Sequence, residues 1–334
     1  MNIILLFSLI ISFALTFITI PFWIRKASKA GLVWEDMNKF GKKRNVAGSG
    51  GVVVVMAFVI GILYYIATRT FFFREPTISL EIFALLSVVL IFTMIGIVDD
   101  LFGWKNKGLS IRTRLLLAFI ASIPLVVINA GQSIINLPFL GAIDLGLLYP
   151  LLVIPIGIAG AATTYNFLAG YNGLEAGQGI LILGFLSYVA YVTGTQWLGV
   201  IGLTMVAALI GFLFYNKYPA RIFPGDSLTW AIGAMIAGMA ILGNFEKIAL
   251  FVFIPYIIEV GLKLRGGLKK QSFGKPNKDN SLELPYKKIY GLEHLAIYVL
   301  KRIKPSKKVY EKDVVYLIHG FQIFIILLVF FIFL

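Results

Sequence analysis

The chain contains no cysteine and only two histidines in 334 residues. The absence of cysteine excludes disulfides, thiolate metal sites and cysteine nucleophiles. His294 and His319 are too few and too widely separated to indicate a zinc site, so we expect a structural role for each. Charged residues are also scarce, at 14% against 59% hydrophobic residues, and the mean hydropathy is +0.90. This composition excludes an ordinary soluble domain and predicts an integral membrane protein.

Ten apolar runs are long enough to cross roughly 30 Å of hydrocarbon as helices. They cover residues 3–24, 50–68, 78–98, 113–130, 147–168, 178–194, 197–216, 228–245, 247–264 and 314–334. We therefore predict an all-α polytopic membrane protein that forms a single domain over residues 1–334. The first run has no basic leader and no cleavage site before Arg25, which favours a retained span. Small residues in the fifth and eighth runs predict close packing at the centre; they include Gly157, Gly160, Gly233 and Gly238.

Basic residues are distributed unevenly between the loops. The odd-numbered loops and the adjoining span ends hold 27 of the 30 lysines and arginines. The positive-inside rule therefore predicts that these loops are cytoplasmic and that both termini lie outside. Orientation and anionic headgroups account for the net charge of +14, so no nucleic acid partner is expected.

Residues 263–313 form a long polar segment between the ninth and tenth runs. It is too short for an independent core, and we predict a flap over the cytoplasmic face. Residues 282–284 and 288–290 are candidates for short strands. Residues 292–303 have the spacing of an amphipathic helix.

Three polar clusters fall where apolar runs meet the predicted cytoplasmic face. They are Asp99-Asp100, the segment 166–179 and the segment 223–226. Carboxylates beside hydrocarbon are costly, so several that converge indicate a compensating group, either a cation or a cationic substrate pocket. Asp226, the amide oxygen of Asn166 and one residue of the Asp pair form an oxygen donor set that suits Mg²⁺ together with substrate phosphates.

Each cluster also has an ordinary structural interpretation. The Asp pair could be a solvated helix end, although the helix dipole disfavours carboxylates there. Two asparagines and four glycines make residues 166–179 either a binding loop or a plain interhelical turn. Asp226 could cap a helix, and Phe223 could either stack on a base or pack against lipid.

The three motifs together resemble those of a known enzyme family. They read Val-Asp-Asp at 98–100, Asn-Phe-Leu-Ala-Gly-Tyr-Asn-Gly-Leu-Glu-Ala-Gly-Gln at 166–178 and Phe-Pro-Gly-Asp at 223–226. This set is similar to the polyprenyl-phosphate N-acetylhexosamine-1-phosphate transferases, in particular the eukaryotic and archaeal branch that uses UDP-GlcNAc and dolichyl phosphate. The similarity covers nearly the whole chain. It departs in the flap, where no histidine lies between Gly267 and Glu293.

The resemblance implies a role for each matching residue. The implied metal ligands are Asn166 and Asp226, the implied catalytic residues are Asp99, Asp100 and Arg114, and the implied substrate-binding residues are Lys39, Arg112, Gly170, Asn172, Glu175, Phe223, Arg265 and Lys269. Gly170 and Asn172 would recognise uracil and Phe223 would stack on it. The basic residues would meet phosphates, and the metal would be Mg²⁺ or Mn²⁺.

The implied reaction transfers GlcNAc-1-phosphate from UDP-GlcNAc to a polyprenyl phosphate and releases UMP. The acceptor phosphate is largely deprotonated at neutral pH, so we expect Asp99 or Asp100 to act by positioning, with base catalysis as the alternative. The expected location is the plasma membrane of a prokaryote or the endoplasmic reticulum of a eukaryote, with the site facing the cytoplasm. A cation-coupled transporter is the alternative function, another UDP-N-acetylhexosamine is the alternative donor, and a homodimer is one expected assembly.

Overall fold

Helices dominate the chain. A computed structural model describes residues 3–41, 45–75, 77–105, 108–137 and 141–334. In these ranges the helices are α1 (Ile3–Ala30), α2 (Gly51–Ala67), α3 (Ser79–Lys105), α4 (Ile111–Ala121), α5 (Ile123–Val127), α6 (Ile154–Tyr165), α7 (Leu174–Val192), α8 (Gln196–Asn216), α9 (Asp226–Gly243), α10 (Glu246–Val252), α11 (Ile254–Arg265), α12 (Leu292–Ile303) and α13 (Glu311–Phe333). A π-helical turn, Thr68–Phe73, continues α2, and another, Tyr149–Val153, leads into α6.

Seven helices in the described ranges are long and apolar enough to cross a membrane: α1, α2, α3, α7, α8, α9 and α13. The multi-pass helical architecture is therefore confirmed. None of the other three predicted runs forms a helix of spanning length in the described ranges: the fourth is divided into α4 and α5, the ninth into α10 and α11, and the fifth forms a shorter apolar helix, Tyr149–Tyr165. Pro124 and Pro255 lie in the first turns of α5 and α11. Proline lacks the amide N–H that a continuing helix needs, so it starts a helix more readily than it extends one.

Helix α9 lies at the centre of the bundle. Sixteen of its 18 residues are buried, and it packs against α3 and α6. A Cβ atom on Gly233 would lie 2.5 Å from the carbonyl oxygen of Ala161, so this glycine permits the close approach of α6 that the small residues predict. Gly157 and Gly160 make no such contact, since nothing in the described ranges lies within 4 Å of a Cβ placed on either.

Among the described residues, three antiparallel two-stranded hairpins lie outside the helices. They pair β1 (Val33–Glu35) with β2 (Asn45–Ala47), β3 (Ile134–Leu137) with β4 (Gly141–Asp144), and β5 (Lys275–Pro276) with β6 (Leu282–Glu283). The β1–β2 hairpin is hydrogen-bonded to the segment before α9. The backbone amide of Phe223 donates to the carbonyl of Ala47 at 2.7 Å. This hydrogen bond holds the first loop beside the start of α9.

The segment 263–313 folds back onto the rest of the protein through hydrogen bonds, and its position over the cytoplasmic face stays a prediction. The expected helix forms as α12 and one expected strand forms as β6, whereas residues 288–290 are not a strand. Its contacts reach the first loop, the loop between α6 and α7, and α11. The amide of Leu292 donates to the Glu259 carboxylate at 2.6 Å, and the amide of Gly274 donates to the Tyr171 hydroxyl at 3.1 Å.

Candidate active site

One cavity of about 530 Å³ gathers residues from all three polar clusters. It lies where the C-terminal part of α3 and the end of α6 meet the start of α9. Eight of the residues predicted for the site line it: Asp99, Asp100, Arg114, Asn166, Gly170, Glu175, Phe223 and Asp226. The structure therefore brings together clusters that are far apart in the sequence.

The two adjacent aspartates of α3 point to different partners. Asp99, which is 3% exposed, forms an ion pair with Arg114 at 2.5 Å and accepts a hydrogen bond from the amide of Leu109. Arg114 is positioned because α4 begins at a good N-cap, Ser110, whose hydroxyl accepts the amide of Thr113 at 3.2 Å. Asp99 thus orients the arginine and fixes the chain entering α4.

Asp100 instead contacts the first turn of α9. Its carboxylate accepts the backbone amide of Asp226 at 2.8 Å and the hydroxyl of Ser227 at 3.1 Å. The amide groups and the positive end of the helix dipole both stabilise a carboxylate at this point. Asp226 is not the N-cap; Gly225 occupies that position, and Asp226 is the first residue of the helix. The N-terminus of α9 is stabilised by Asp100, and the side chain of Asp226 faces the cavity.

Asn166 lies at the C-terminal cap of α6 and lines the same cavity. Its side-chain oxygen accepts a hydrogen bond from the Thr229 hydroxyl at 3.0 Å, one turn along α9 from Asp226. The two predicted metal ligands therefore line one wall of the same cavity, and Thr229 orients one of them.

The oxygen donors at this wall fit a divalent cation. Asp226 lies within hydrogen-bonding reach of the Asp99 carboxylate, and two like charges so close need a proton or a cation between them. In the described part of the chain, no three side chains of histidine, cysteine, aspartate or glutamate are grouped to hold a metal by themselves. Mg²⁺ commonly takes one or two carboxylates and completes its shell with phosphates and water, so Asp226, Asp99 and Asn166 suit it.

The loop between α6 and α7 forms a second wall. Glu175, which is 4% exposed, accepts the amide of Gly170 at 2.8 Å, so its carboxylate holds this loop in shape. Gly170 has a φ of +101°, and a Cβ there would lie 2.7 Å from the ring of Phe273 in the flap. Only glycine allows both this backbone conformation and this close contact.

Five residues predicted to bind substrate do not line the cavity: Lys39, Arg112, Asn172, Arg265 and Lys269. Arg112, Arg265 and Lys269 are exposed at the surface. Arg114, two residues after Arg112, does line the cavity. Behind the cavity wall, Lys39 forms an ion pair with Glu311, and the Asn172 side chain forms hydrogen bonds with other protein groups. Their predicted contacts with substrate stay predictions.

The cavity also has lining residues that the sequence did not indicate. Trp34 and Met37 come from the first loop, Thr229 from α9, and Gln271 and Phe273 from the flap. Spacing alone could not identify the flap residues, because their position depends on how residues 263–313 fold back. The one available signal was the aromatic character of Trp34 and Phe273 in otherwise polar loops.

We expect Gly170→Ala to weaken binding of a nucleotide in the cavity by about tenfold or more, because a left-handed backbone costs a non-glycine residue about 1–3 kcal/mol and the Phe273 ring must move. Isothermal titration with UMP would measure the change. The matched control is Gly184→Ala, since a Cβ at Gly184 meets nothing within 4 Å among the described residues. Equal affinities for the two variants would contradict the prediction.

Comparison with known proteins identifies the family. The glycosyl transferase family 4 model matches residues 82–244. A Saccharolobus solfataricus protein, provisionally named a UDP-N-acetylglucosamine–dolichyl-phosphate N-acetylglucosaminephosphotransferase, is 35% identical over 295 residues, which cover 88% of each chain. A Dictyostelium discoideum protein that carries this name without qualification is 29% identical over 281 residues, covering 73% of this chain and 67% of its own.

The similarity extends to bacterial enzymes. A phospho-N-acetylmuramoyl-pentapeptide-transferase of Halalkalibacterium halodurans is 28% identical over 267 residues, covering 77% of this chain and 80% of its own. The range that the family model matches, residues 82–244, includes the three cavity motifs. The chain therefore belongs to glycosyl transferase family 4, the polyprenyl-phosphate N-acetylhexosamine-1-phosphate transferases, and it is an integral membrane enzyme of this glycosyl-1-phosphate transferase class.

Proposed function

We propose that the enzyme transfers GlcNAc-1-phosphate from UDP-GlcNAc to a dolichyl-type polyprenyl phosphate in a Mg²⁺-dependent reaction. The products are polyprenyl-pyrophosphate-GlcNAc and UMP. The observation that carries the proposal is the convergence of Asp99, Asp100, Asp226 and Arg114 on one cavity at the ends of apolar helices. The names of the Saccharolobus and Dictyostelium relatives support this donor and acceptor. Membership of a transferase family does not favour the alternative of a cation-coupled transporter.

The reaction brings together two anions. An oxygen of the lipid phosphate attacks the phosphorus that carries the sugar, and the bond from this phosphorus to the UMP oxygen breaks. Bound Mg²⁺ would offset the charge of the pyrophosphate and of the leaving UMP. Asn166 and Asp226 would hold the ion, with Asp99 beside them. The Arg114 guanidinium, oriented by Asp99, supplies a fixed positive charge at the same cavity wall.

No proton has to be removed from the acceptor at neutral pH, because a phosphate monoester has a second pKa near 6. Asp100 already accepts hydrogen bonds through both of its carboxylate oxygens. This engagement supports a positioning role for Asp100, since a general base needs an oxygen free to accept a proton from substrate.

The decisive assay uses purified enzyme in detergent with radiolabelled UDP-GlcNAc, dolichyl phosphate and Mg²⁺. We expect UMP release to match the formation of labelled lipid, and both to stop when EDTA is added. A panel of other UDP-sugars tests the donor. Radiolabel that remains water-soluble in every condition would refute transfer to lipid, and faster UMP release with another UDP-N-acetylhexosamine would change the assigned donor.

The proposed topology has ten membrane crossings, both termini outside and the cavity facing the cytoplasm. Because the sequence contains no cysteine, a single introduced cysteine would be the only thiol available for labelling. We expect Lys278→Cys, in the exposed part of the flap, to react with a membrane-impermeant maleimide only after cells are permeabilised. Arg74→Cys, exposed between α2 and α3, should react in intact cells. The reverse pattern would invert the proposed orientation.

A further inference from the structure

A buried carboxylate lies behind the cavity wall, outside the proposed catalytic groups. Glu311 is the first residue of α13 and is only 2% exposed. One of its oxygens accepts both the backbone amide of Asn172, at 2.7 Å, and the Asn172 side-chain amide. The other oxygen forms an ion pair with Lys39. A single side chain therefore joins the last helix to the first loop and to the loop between α6 and α7.

Asn172 completes this network with its remaining polar groups. Its side-chain oxygen accepts the amide of Ala220 at 3.0 Å, and its side-chain nitrogen also donates to Asp36 at 3.2 Å. Every polar group on the side chain is thus occupied by protein. Asp36 lines the cavity itself, and Gly170, two residues before Asn172, lines it as well. The network supports two adjacent parts of the wall from behind.

The stability of α13 does not explain why this carboxylate is buried. The helix is already capped by a box in which Tyr310 and Asp313 exchange hydrogen bonds. Burying a charge is costly unless it is paired and hydrogen-bonded, and Glu311 has both kinds of partner. All these partners belong to the segments that form the wall. The carboxylate is therefore best explained by what it holds in place.

We propose that Glu311 is a positioning residue that fixes the cavity wall formed by residues 36–37 and 170–171 for the nucleotide part of the donor. The inference rests on the proposed function, because it assigns that wall to a uridine nucleotide. Asn172 then acts on the nucleotide through the placement of its loop. Lys39 serves as the counter-ion of Glu311 and also pairs with Asp36 at 3.6 Å, and it is held over the Tyr218 ring at 4.0 Å.

The test compares Glu311→Gln with Asp313→Asn. Both remove one carboxylate charge from the first turn of α13, but Asp313 pairs with Lys304 and does not contact the network. In Glu311→Gln the new amide group faces the Lys39 ammonium, so two donors meet. We expect the KM for UDP-GlcNAc to rise about tenfold and UMP affinity to fall by a similar factor, with kcat within about threefold of wild type. Asp313→Asn should leave all three unchanged.

A double variant separates positioning from general loss of structure. Lys39→Met together with Glu311→Gln removes the clash of donors and leaves an acceptor for Asn172, so UMP affinity should recover in part relative to Glu311→Gln alone. The recovery should be partial because Asp36 also loses its ion pair with Lys39. If Glu311→Gln does not fold, Glu311→Asp is the second variant. Its shorter side chain keeps the charge but moves the carboxylate oxygens away from Asn172 and Lys39, so it should show the same rise in the KM for UDP-GlcNAc. A loss confined to kcat, with UMP affinity unchanged, would overturn the proposal. So would equal effects in Asp313→Asn.

UMP titration also distinguishes the two proposals. A wild-type enzyme that binds UMP but does not transfer GlcNAc-1-phosphate would contradict the proposed donor and leave the role of Glu311 measurable through UMP affinity. Normal transfer by wild type, with no change of KM or UMP affinity in Glu311→Gln, would refute the positioning role alone.

Discussion

Asp226→Asn is expected to lower the rate of UMP release by about 1,000-fold, the order of loss found when a group that stabilises transition-state charge is removed. The reason is the loss of a carboxylate that faces the cavity beside Asp99. The same change relieves the repulsion between these two carboxylates, so the variant without added metal should be at least as stable as wild type. Thermal unfolding with and without Mg²⁺ would measure both effects: Mg²⁺ should raise the midpoint of wild type and leave that of the variant unchanged.

The control for this prediction is Glu75→Gln. Glu75 is an exposed residue that pairs with Arg69 at 3.1 Å, away from the cavity, and an exposed pair contributes little to stability. We expect normal UMP release and a normal Mg²⁺ response. An Asp226→Asn variant that retained its Mg²⁺-dependent stabilisation would contradict the assigned metal site, even if its activity were lost.

Much of the fold was predictable because hydrocarbon imposes simple requirements on a chain. Long apolar runs such as those of α3 and α8 form membrane helices because a helix satisfies every backbone hydrogen bond within the run itself. The sequence did not reveal how prolines divide the other runs. Pro124 and Pro255 each lie inside a run that is otherwise mainly apolar. The short hairpin β1–β2 was also missed, because three-residue strands carry too little periodicity to recognise.

The candidate site was predictable where local sequence constrained it. Asp100 and Asp226, which both line the cavity, were singled out because charge at the end of an apolar run is costly and uncommon. Lys39 was predicted to meet phosphate, but in the structure it pairs with Glu311, a partner at the far end of the chain. Net charge and spacing do not reveal such partners, because tertiary folding decides which cations are already neutralised. Phe273 was missed for the same reason.

Asp100→Asn is expected to lower both stability and turnover, and the ratio of these effects tests the positioning role. The variant places an amide group against the N–H donors of Asp226 and Ser227 and removes a charge from the positive end of α9. Lost charge-assisted hydrogen bonds and lost dipole stabilisation should lower the free energy of unfolding by about 2–3 kcal/mol. Because the start of α9 carries Asp226, turnover should fall by about 100-fold.

Ser227→Ala provides a graded comparison, since it removes only the hydroxyl that donates to Asp100 at 3.1 Å and leaves the backbone amides in place. We expect a loss of about 1 kcal/mol in stability and a loss of activity smaller than tenfold. Thermal unfolding and UMP release, measured on the same preparations, should therefore fall together along this series. If Asp100→Asn lost turnover with an unchanged unfolding midpoint, the carboxylate would be acting on the substrate directly. Base catalysis would then replace positioning as its role.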